Sequence, residues 1–158
     1  MSLSKSLRCT LTILALLACA VSTHAQSRYT YSTAGDEVTD SQTGLVWRRC
    51  SEGQSWSGGT CTGTAATYTH EAALGQANAQ SGSAGWRLPN VKELSSIADK
   101  TRMSPAIDPT AFPATPFNSF WTSTPKAGNS SNAWFVNFGD GSVSGVNRVN
   151  TYHVRLVR

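Results

Sequence analysis

The stretch Gly85-Trp86-Arg87-Leu88-Pro89-Asn90-Val91-Lys92-Glu93-Leu94 carries the clearest structural instructions in this chain. Proline disfavours helical geometry at the residue before it, so Leu88 is extended. Asn90 then offers a side-chain oxygen to the backbone N–H of Glu93, and the Glu93 carboxylate reaches back as in a capping box. Val91, Leu94, Ile97 and Ala98 follow at helical spacing, which predicts a helix that buries this face. Trp86 and Leu88 are placed to pack beneath the helix start. Arg87, between them, is expected to point the other way and to meet Asp99, Asp40 or a backbone carbonyl.

Upstream, residues 68–80 predict another helix, with Thr69 at its start and Ala72, Ala73, Leu74 and Ala77 on one side; Gly75 weakens it. Earlier still, Thr43-Gly44-Leu45-Val46-Trp47 reads as a turn followed by a strand, bounded by Arg48 and Arg49. Downstream, residues 102–118 contain four prolines and no sustained period, the pattern of a long ordered loop, here held by Phe112 and Phe117. Three strand signals come after it: Phe120 to Thr122, Ala133 to Phe138, and Tyr152 to Val157. In the second, Trp134, Val136 and Phe138 face one way and Ala133, Phe135 and Asn137 the other. In the last, Tyr152, Val154 and Leu156 alternate with His153, Arg155 and Val157. Gly139-Asp140-Gly141-Ser142 is a hairpin turn with Val143 to Val146 returning. Helices early and antiparallel strands late predict an α+β fold, two helices packed on a twisted antiparallel sheet.

The 158 residues suffice for one domain, and only 14% of them are charged. With 21 Ser and 18 Thr, the surface is polar but largely uncharged. That composition argues against a nucleic-acid partner, which would concentrate Lys and Arg. Lys5 and Arg8 followed by the apolar run Leu11 to Ala20 read as a signal peptide over residues 1–25, cleaved after Ala25. The competing reading takes Leu16-Leu17-Ala18-Cys19 as a lipobox, with Cys19 lipidated and membrane attachment through it alone. Either way the protein is expected to be exported, to a periplasmic, cell-surface or secreted location. Beyond the leader, residues 26–37 form a polar lead and residues 38–158 the domain; 11 basic and 9 acidic groups leave it at +2. Cys9 and Cys19 fall in the leader. Cys50 and Cys61 remain as an even pair, for which a disulfide is the default in an exported protein; free thiols or half a metal site are the alternatives.

Five stretches together resemble the Lcl C-terminal-domain family, named for a bacterial collagen-like adhesin. They are Asp40 to Arg48, Gly85 to Leu94, Ile107 to Pro113, Phe120 to Ser123 and Val154 to Arg158, in the family's order. The resemblance covers residues 38–158. It implies a C-type-lectin-like fold, an exported bacterial surface or periplasmic location and, from the adhesin itself, a trimer that binds sulfated glycosaminoglycans. This chain carries no Gly-X-Y stalk and has only a weak positive charge. Within the motifs, Trp47, Trp86, Arg87, Leu88, Pro89, Glu93, Trp121 and Arg155 are expected to hold the fold. Trp134 is also most simply a core or subcore aromatic; sugar stacking is the minority reading for Trp47, Trp121 and Trp134.

Catalytic signatures fail on inspection. His70-Glu71 begins a zinc-protease motif, but Leu74 stands where the second imidazole must be. No cluster fits Gly-x-Ser-x-Gly, and Ser123 to Lys126 matches Ser-x-x-Lys only with Pro125 in a loop. Enzymes that share the lectin-like fold and use a cysteine would need a free thiol, which a disulfide removes. Calcium lectins need an amide or carboxylate before the proline, where Leu88 stands. No catalytic residue, metal ligand or cofactor is therefore expected. The remaining candidates are cationic: Arg48, Arg49, Lys126 and Arg148, with Arg155 and Arg158 near the C-terminal strands. Gathered on one surface they would grip sulfate or carboxylate; scattered, they are solvated charges with Arg155 a buried partner. The expected function is a non-enzymatic binding domain, an adhesin-type module for an acidic or sulfated polysaccharide or a surface protein. The alternative is a structural or assembly subunit of a cell-envelope or pilus-like system.

Overall fold

The computed structural model describes residues 27–158 apart from Ser83. The leader, with its cleavage site and Cys19, lies outside the described residues. Eight strands and two helices follow in order: β1 (Tyr29–Tyr31), β2 (Glu37–Asp40), β3 (Val46–Arg48), β4 (Ser55–Ser57), β5 (Thr60–Thr62), α1 (His70–Ala79), α2 (Val91–Ser96), β6 (Ser119–Pro125), β7 (Asn132–Asn137) and β8 (Ser142–Asn147). The fold is α+β, with antiparallel pairing throughout its named strands. The single expected sheet is instead three small ones: β1-β2-β3, the β4-β5 hairpin and β6-β7-β8.

Residues 26–37, expected as a polar lead, supply β1 and the first residue of β2. Asp40 explains this. It is fully buried at the end of β2 and takes Arg28 in a two-pronged contact, Nε to Oδ1 at 2.9 Å and Nη2 to Oδ2 at 2.7 Å. Tyr29 is thereby carried into the interior, its ring edge-on to Phe112 at 5.5 Å.

Helix α2 begins as its sequence directs, with the Asn90 side chain accepting from the Glu93 N–H and Glu93 accepting from the Asn90 N–H. Leu94 and Ile97 enter a cluster with Trp47, Ile107, Phe112, Phe120, Val136, Phe138 and Val157. Arg87 meets none of its expected partners. It grips Glu93 at 2.7 and 2.8 Å, so one carboxylate serves both the cap and the ion pair.

Helix α1 is capped by Thr69, whose side chain accepts from Ala72 N–H. Its buried stripe is narrower than expected: Ala73 and Ala77 are covered, whereas Leu74 is 40% exposed and Ala72 is exposed. Ala73 and Ala77 pack with Trp86, Leu88, Trp121, Val154 and Leu156 in a second cluster. Phe117, expected to anchor the proline-rich loop, is exposed as well; Phe112 anchors it together with Ile107 and Ala111.

The sheet β6-β7-β8 separates the two clusters. Val136 and Phe138 join the first, while Ala133 joins the second and Phe135 packs against it, as period-two alternation requires. Residues 152–158 keep the same alternation without forming a ladder. Val154 and Leu156 enter the second cluster and Val157 the first, while the backbone bonds in turn to Tyr68, Ser119, Trp121, Glu52, Arg48, Arg87 and Val46. The segment is a strap across elements rather than a strand within a sheet. Cys50 and Cys61 form a disulfide, which stabilises a loop of this size by about 3 kcal/mol in the chain-entropy picture.

Two histidines are sealed inside. His70 Nε2 lies 2.9 Å from the Thr122 carbonyl with its ring on Trp121, and His153 Nδ1 lies 2.9 Å from the Ala66 carbonyl beside Phe120. Burial holds both below the ordinary value of 6.5, and Arg148 adds to the effect on His70. The unfolded chain therefore takes up protons before the folded one does. Stability is expected to be level above about pH 7.5 and to fall as pH drops through 6.5, by up to about 1.4 kcal/mol per pH unit for each imidazole. Denaturant titrations at pH 7.5, 6.5 and 5.5 check this; equal midpoints would mean that neither ring is buried neutral.

Candidate binding surface

The grouping of six cations decides what the surface can hold. Arg49 is not on the surface. Its Nε donates to Ala111 O at 2.9 Å, and Nη1 and Nη2 donate to Gly35 O and Thr110 O at 2.6 Å. Its guanidinium lies between the rings of Tyr31 and Trp56. With three carbonyls and two rings around it, it ties the disulfide region to the proline-rich loop and has no capacity left for a ligand. Arg155 is fully buried and likewise structural.

Arg48 and Arg158 both stack on the Trp86 indole, at 4.9 and 4.7 Å. Each also has a carboxylate: Arg48 meets Glu52 at 3.6 Å and Arg158 meets Glu37 at 2.6 Å. With Arg87 and Glu93 nearby in sequence to Trp86, three arginines are matched by three carboxylates. The adjoining cleft, about 380 Å³, is lined by Asp36, Glu37 and Glu52 as well as Arg48. Glu52 further accepts from Gln76 of α1 and from Gln80 at its C-terminal cap. An acid-lined cleft with its arginine already paired repels an anionic ligand.

Lys126 and Arg148 are different. Both approach the carbonyl of Asn132 at one end of β7, Lys126 through its backbone N–H at 3.0 Å and Arg148 through Nε at 3.4 Å. Among the described residues neither forms an ion pair. The Lys126 ammonium stands 5.6 Å from the centroid of Trp134, which is only partly buried. Opposite Trp134 on β8 is Gly145, and the Lys126 stem lies where a side chain there would be. Arg148 lines a second depression with Thr69, His70, Glu71, Leu74 and Val149. The sheet end thus offers a half-open aromatic face and two cations without carboxylate partners. Of the four cationic candidates, the structure brings Lys126 and Arg148 to one sheet end and leaves Arg48 and Arg49 elsewhere.

Trp134, read from the sequence as a core or subcore aromatic, is partly buried. Its alternation with Val136 is correct, but α2 covers Val136 and leaves the indole at the sheet end with Lys126 for a neighbour. The signal available in the sequence was Gly145, which lies opposite Trp134 in the hairpin and offers no side chain to cover it.

Most motif residues occupy the interior: Trp47, Trp86, Leu88, Pro89, Trp121 and Arg155 are all buried. Residues 36–158 match the family model described as the Lcl C-terminal domain. The chain belongs to that family. No curated protein matches it. The Lcl C-terminal domain match begins after β1, yet the Arg28 contact to Asp40 makes that strand part of the same folded unit. Among the described residues, no group of three or more His, Cys, Asp or Glu is placed to hold a metal ion, and no helix is long and apolar enough to cross a membrane.

Proposed function

We propose that this Lcl C-terminal domain is an exported, non-enzymatic binding domain of C-type-lectin-like fold, an adhesin-type module that takes an acidic or sulfated glycan at the Lys126–Trp134–Arg148 end of its sheet. The observation that carries the reading is the pairing of Lys126 with a partly exposed indole and no carboxylate. An indole face suits the apolar side of a pyranose, and cations beside it suit the sulfate or carboxylate substituents. The other positively charged region, around Trp86, is neutralised by its own glutamates.

The test compares binding to dextran sulfate and to uncharged dextran at low and high salt, with and without a chelator. Binding to the sulfated polymer alone, weakened by salt and indifferent to the chelator, is expected. Lys126→Ala and Arg148→Ala should each weaken it by roughly 3–10-fold, about 1 kcal/mol. Arg48→Ala should leave it within about twofold. Equal binding of both polymers, or a loss confined to Arg48→Ala, would refute the site. No binding under any condition would favour an assembly subunit of the cell envelope.

A further inference from the structure

Gly145 stands inside β8 with ordinary backbone geometry, so its presence is not owed to a left-handed conformation. Glycine weakens a strand, and where the backbone does not require it, it marks a close approach by another group. Its cross-strand neighbour is Trp134 of β7, and an aromatic ring in that place commonly folds over the glycine. Here another side chain arrives first. A Cβ built on Gly145 would meet Lys126 before anything else, with Cδ at 2.6 Å and Cε and Nζ at 3.4 Å. The bare backbone forms a trough, and the lysine stem lies in it.

The backbone of Lys126 is itself held. Its N–H donates to Asn132 O at 3.0 Å, and its carbonyl accepts from Asn129 N–H at 3.2 Å, so the chain turns back from β6 into β7 at this residue. From that anchor the side chain crosses β7 to reach β8, and its ammonium stops 5.6 Å from the Trp134 centroid. A lysine on an open surface samples many rotamers, and fixing one of them for a ligand costs entropy. Lys126 is already laid down, and among the described residues no carboxylate draws it away.

We propose that Gly145 is a positioning residue for the glycan site: its missing side chain seats Lys126 and so holds one cation beside the Trp134 indole before a ligand arrives. The purpose of that placement rests on the binding reading given above, but the placement itself does not. The site then owes its affinity to where the charge is held as well as to its presence.

The experiment uses the full chain and two readouts, the first of which needs no glycan. In proton–carbon NMR spectra the Lys126 δ and ε methylene signals, assigned by their loss in Lys126→Ala, are expected to be displaced by the indole ring current. Gly145→Val should return them to random-coil positions. Valine favours a strand and its Cβ first meets the flexible end of a lysine, so the melting temperature should hold or rise. Should that variant fold poorly, Gly145→Ala makes the same test with one carbon. The second readout is affinity for dextran sulfate across a salt series, because the slope of log affinity on log salt counts the cations engaged on a polyanion. Gly145→Val keeps every charge and should weaken binding roughly threefold at an unchanged slope. Lys126→Ala should lower the slope by about one, and Gly145→Val added to it should change nothing further. Lysine signals that are undisplaced in the unsubstituted chain, or that stay in place in Gly145→Val, would overturn the positioning role. A loss that persists in the Lys126→Ala background would do so as well. Failure of the unsubstituted chain to bind dextran sulfate would overturn the glycan site and the purpose assigned to Gly145, while the NMR comparison separately decides whether the glycine seats the lysine.

Discussion

Arg155→Ala is expected to lower the unfolding free energy by about 4 kcal/mol. Arg155 is fully buried, and among the described residues no carboxylate reaches it. Its Nη1 donates to the carbonyls of Arg48, at 2.9 Å, and Arg49. Its Nη2 donates to Thr115 Oγ1 at 2.7 Å and Ser51 Oγ at 3.4 Å. Phe112 and Phe120 flank the guanidinium at 4.9 and 5.8 Å, while Nε has no partner. Burial pushes the group down to about 9, so it is still a cation at neutral pH. Backbone dipoles and ring faces replace the missing anion. Alanine would leave two carbonyls and two hydroxyls without this donor and open a cavity between phenylalanines. Arg155→Met separates the effects: it refills volume without restoring donors, and should recover about half the loss. Guanidinium unfolding curves measure both. A loss below about 1 kcal/mol for alanine would mean that the arginine is not the junction described.

Asp40→Ala should cost about 3 kcal/mol and lower the melting temperature by about 10 °C. The carboxylate does four things from a fully buried position. It accepts both prongs of Arg28, the Gln42 N–H at 3.0 Å and the Thr43 hydroxyl at 3.1 Å. Burial acts to raise its pKa, but these bonds together with the charge of Arg28 outweigh burial and hold it below the ordinary aspartate value. Through Arg28, which also donates to Ser96 O at 2.7 Å, it fastens β1 to the end of α2. The loss should therefore show locally as well, as faster amide exchange and proteolysis around Tyr29. Asp40→Asn keeps acceptors for the turn and should fall between. A variant whose β1 is as protected as the wild type would contradict this account.

The parts of the fold that were legible in the sequence are those written in neighbouring residues. Asn90 and Glu93 specify their cap within one turn, and the alternation from Tyr152 to Val157 correctly divides its side chains between two clusters. What could not be read depends on distant partners. Arg49 looks like one half of an exposed basic pair; two of its three carbonyl partners are on a loop some sixty residues on. The strand β1 is three residues long in a polar stretch, and only Asp40 makes it one. Arg87 finds Glu93 because the extended residue before Pro89 turns it back along the helix start, a geometry that spacing alone does not specify. For the binding surface, Lys126 and Arg148 were recognisable as cations. That Arg48 is matched by a glutamate and Lys126 is not required the packing of α1 and the strap.

That strap has a consequence for how the molecule comes into being. Residues 152–158 bind to elements spread from β3 to β6, and they are synthesised after all of them. Neither cluster is complete until Val154, Leu156 and Val157 have arrived. Pieces made earlier can form turns and the α2 cap but have no finished interior to join, and contacts closed over such long separations form slowly. A nascent chain of this kind leaves the elements before the strap without a finished interior until residues 152–158 are made, and then closes them in one cooperative step.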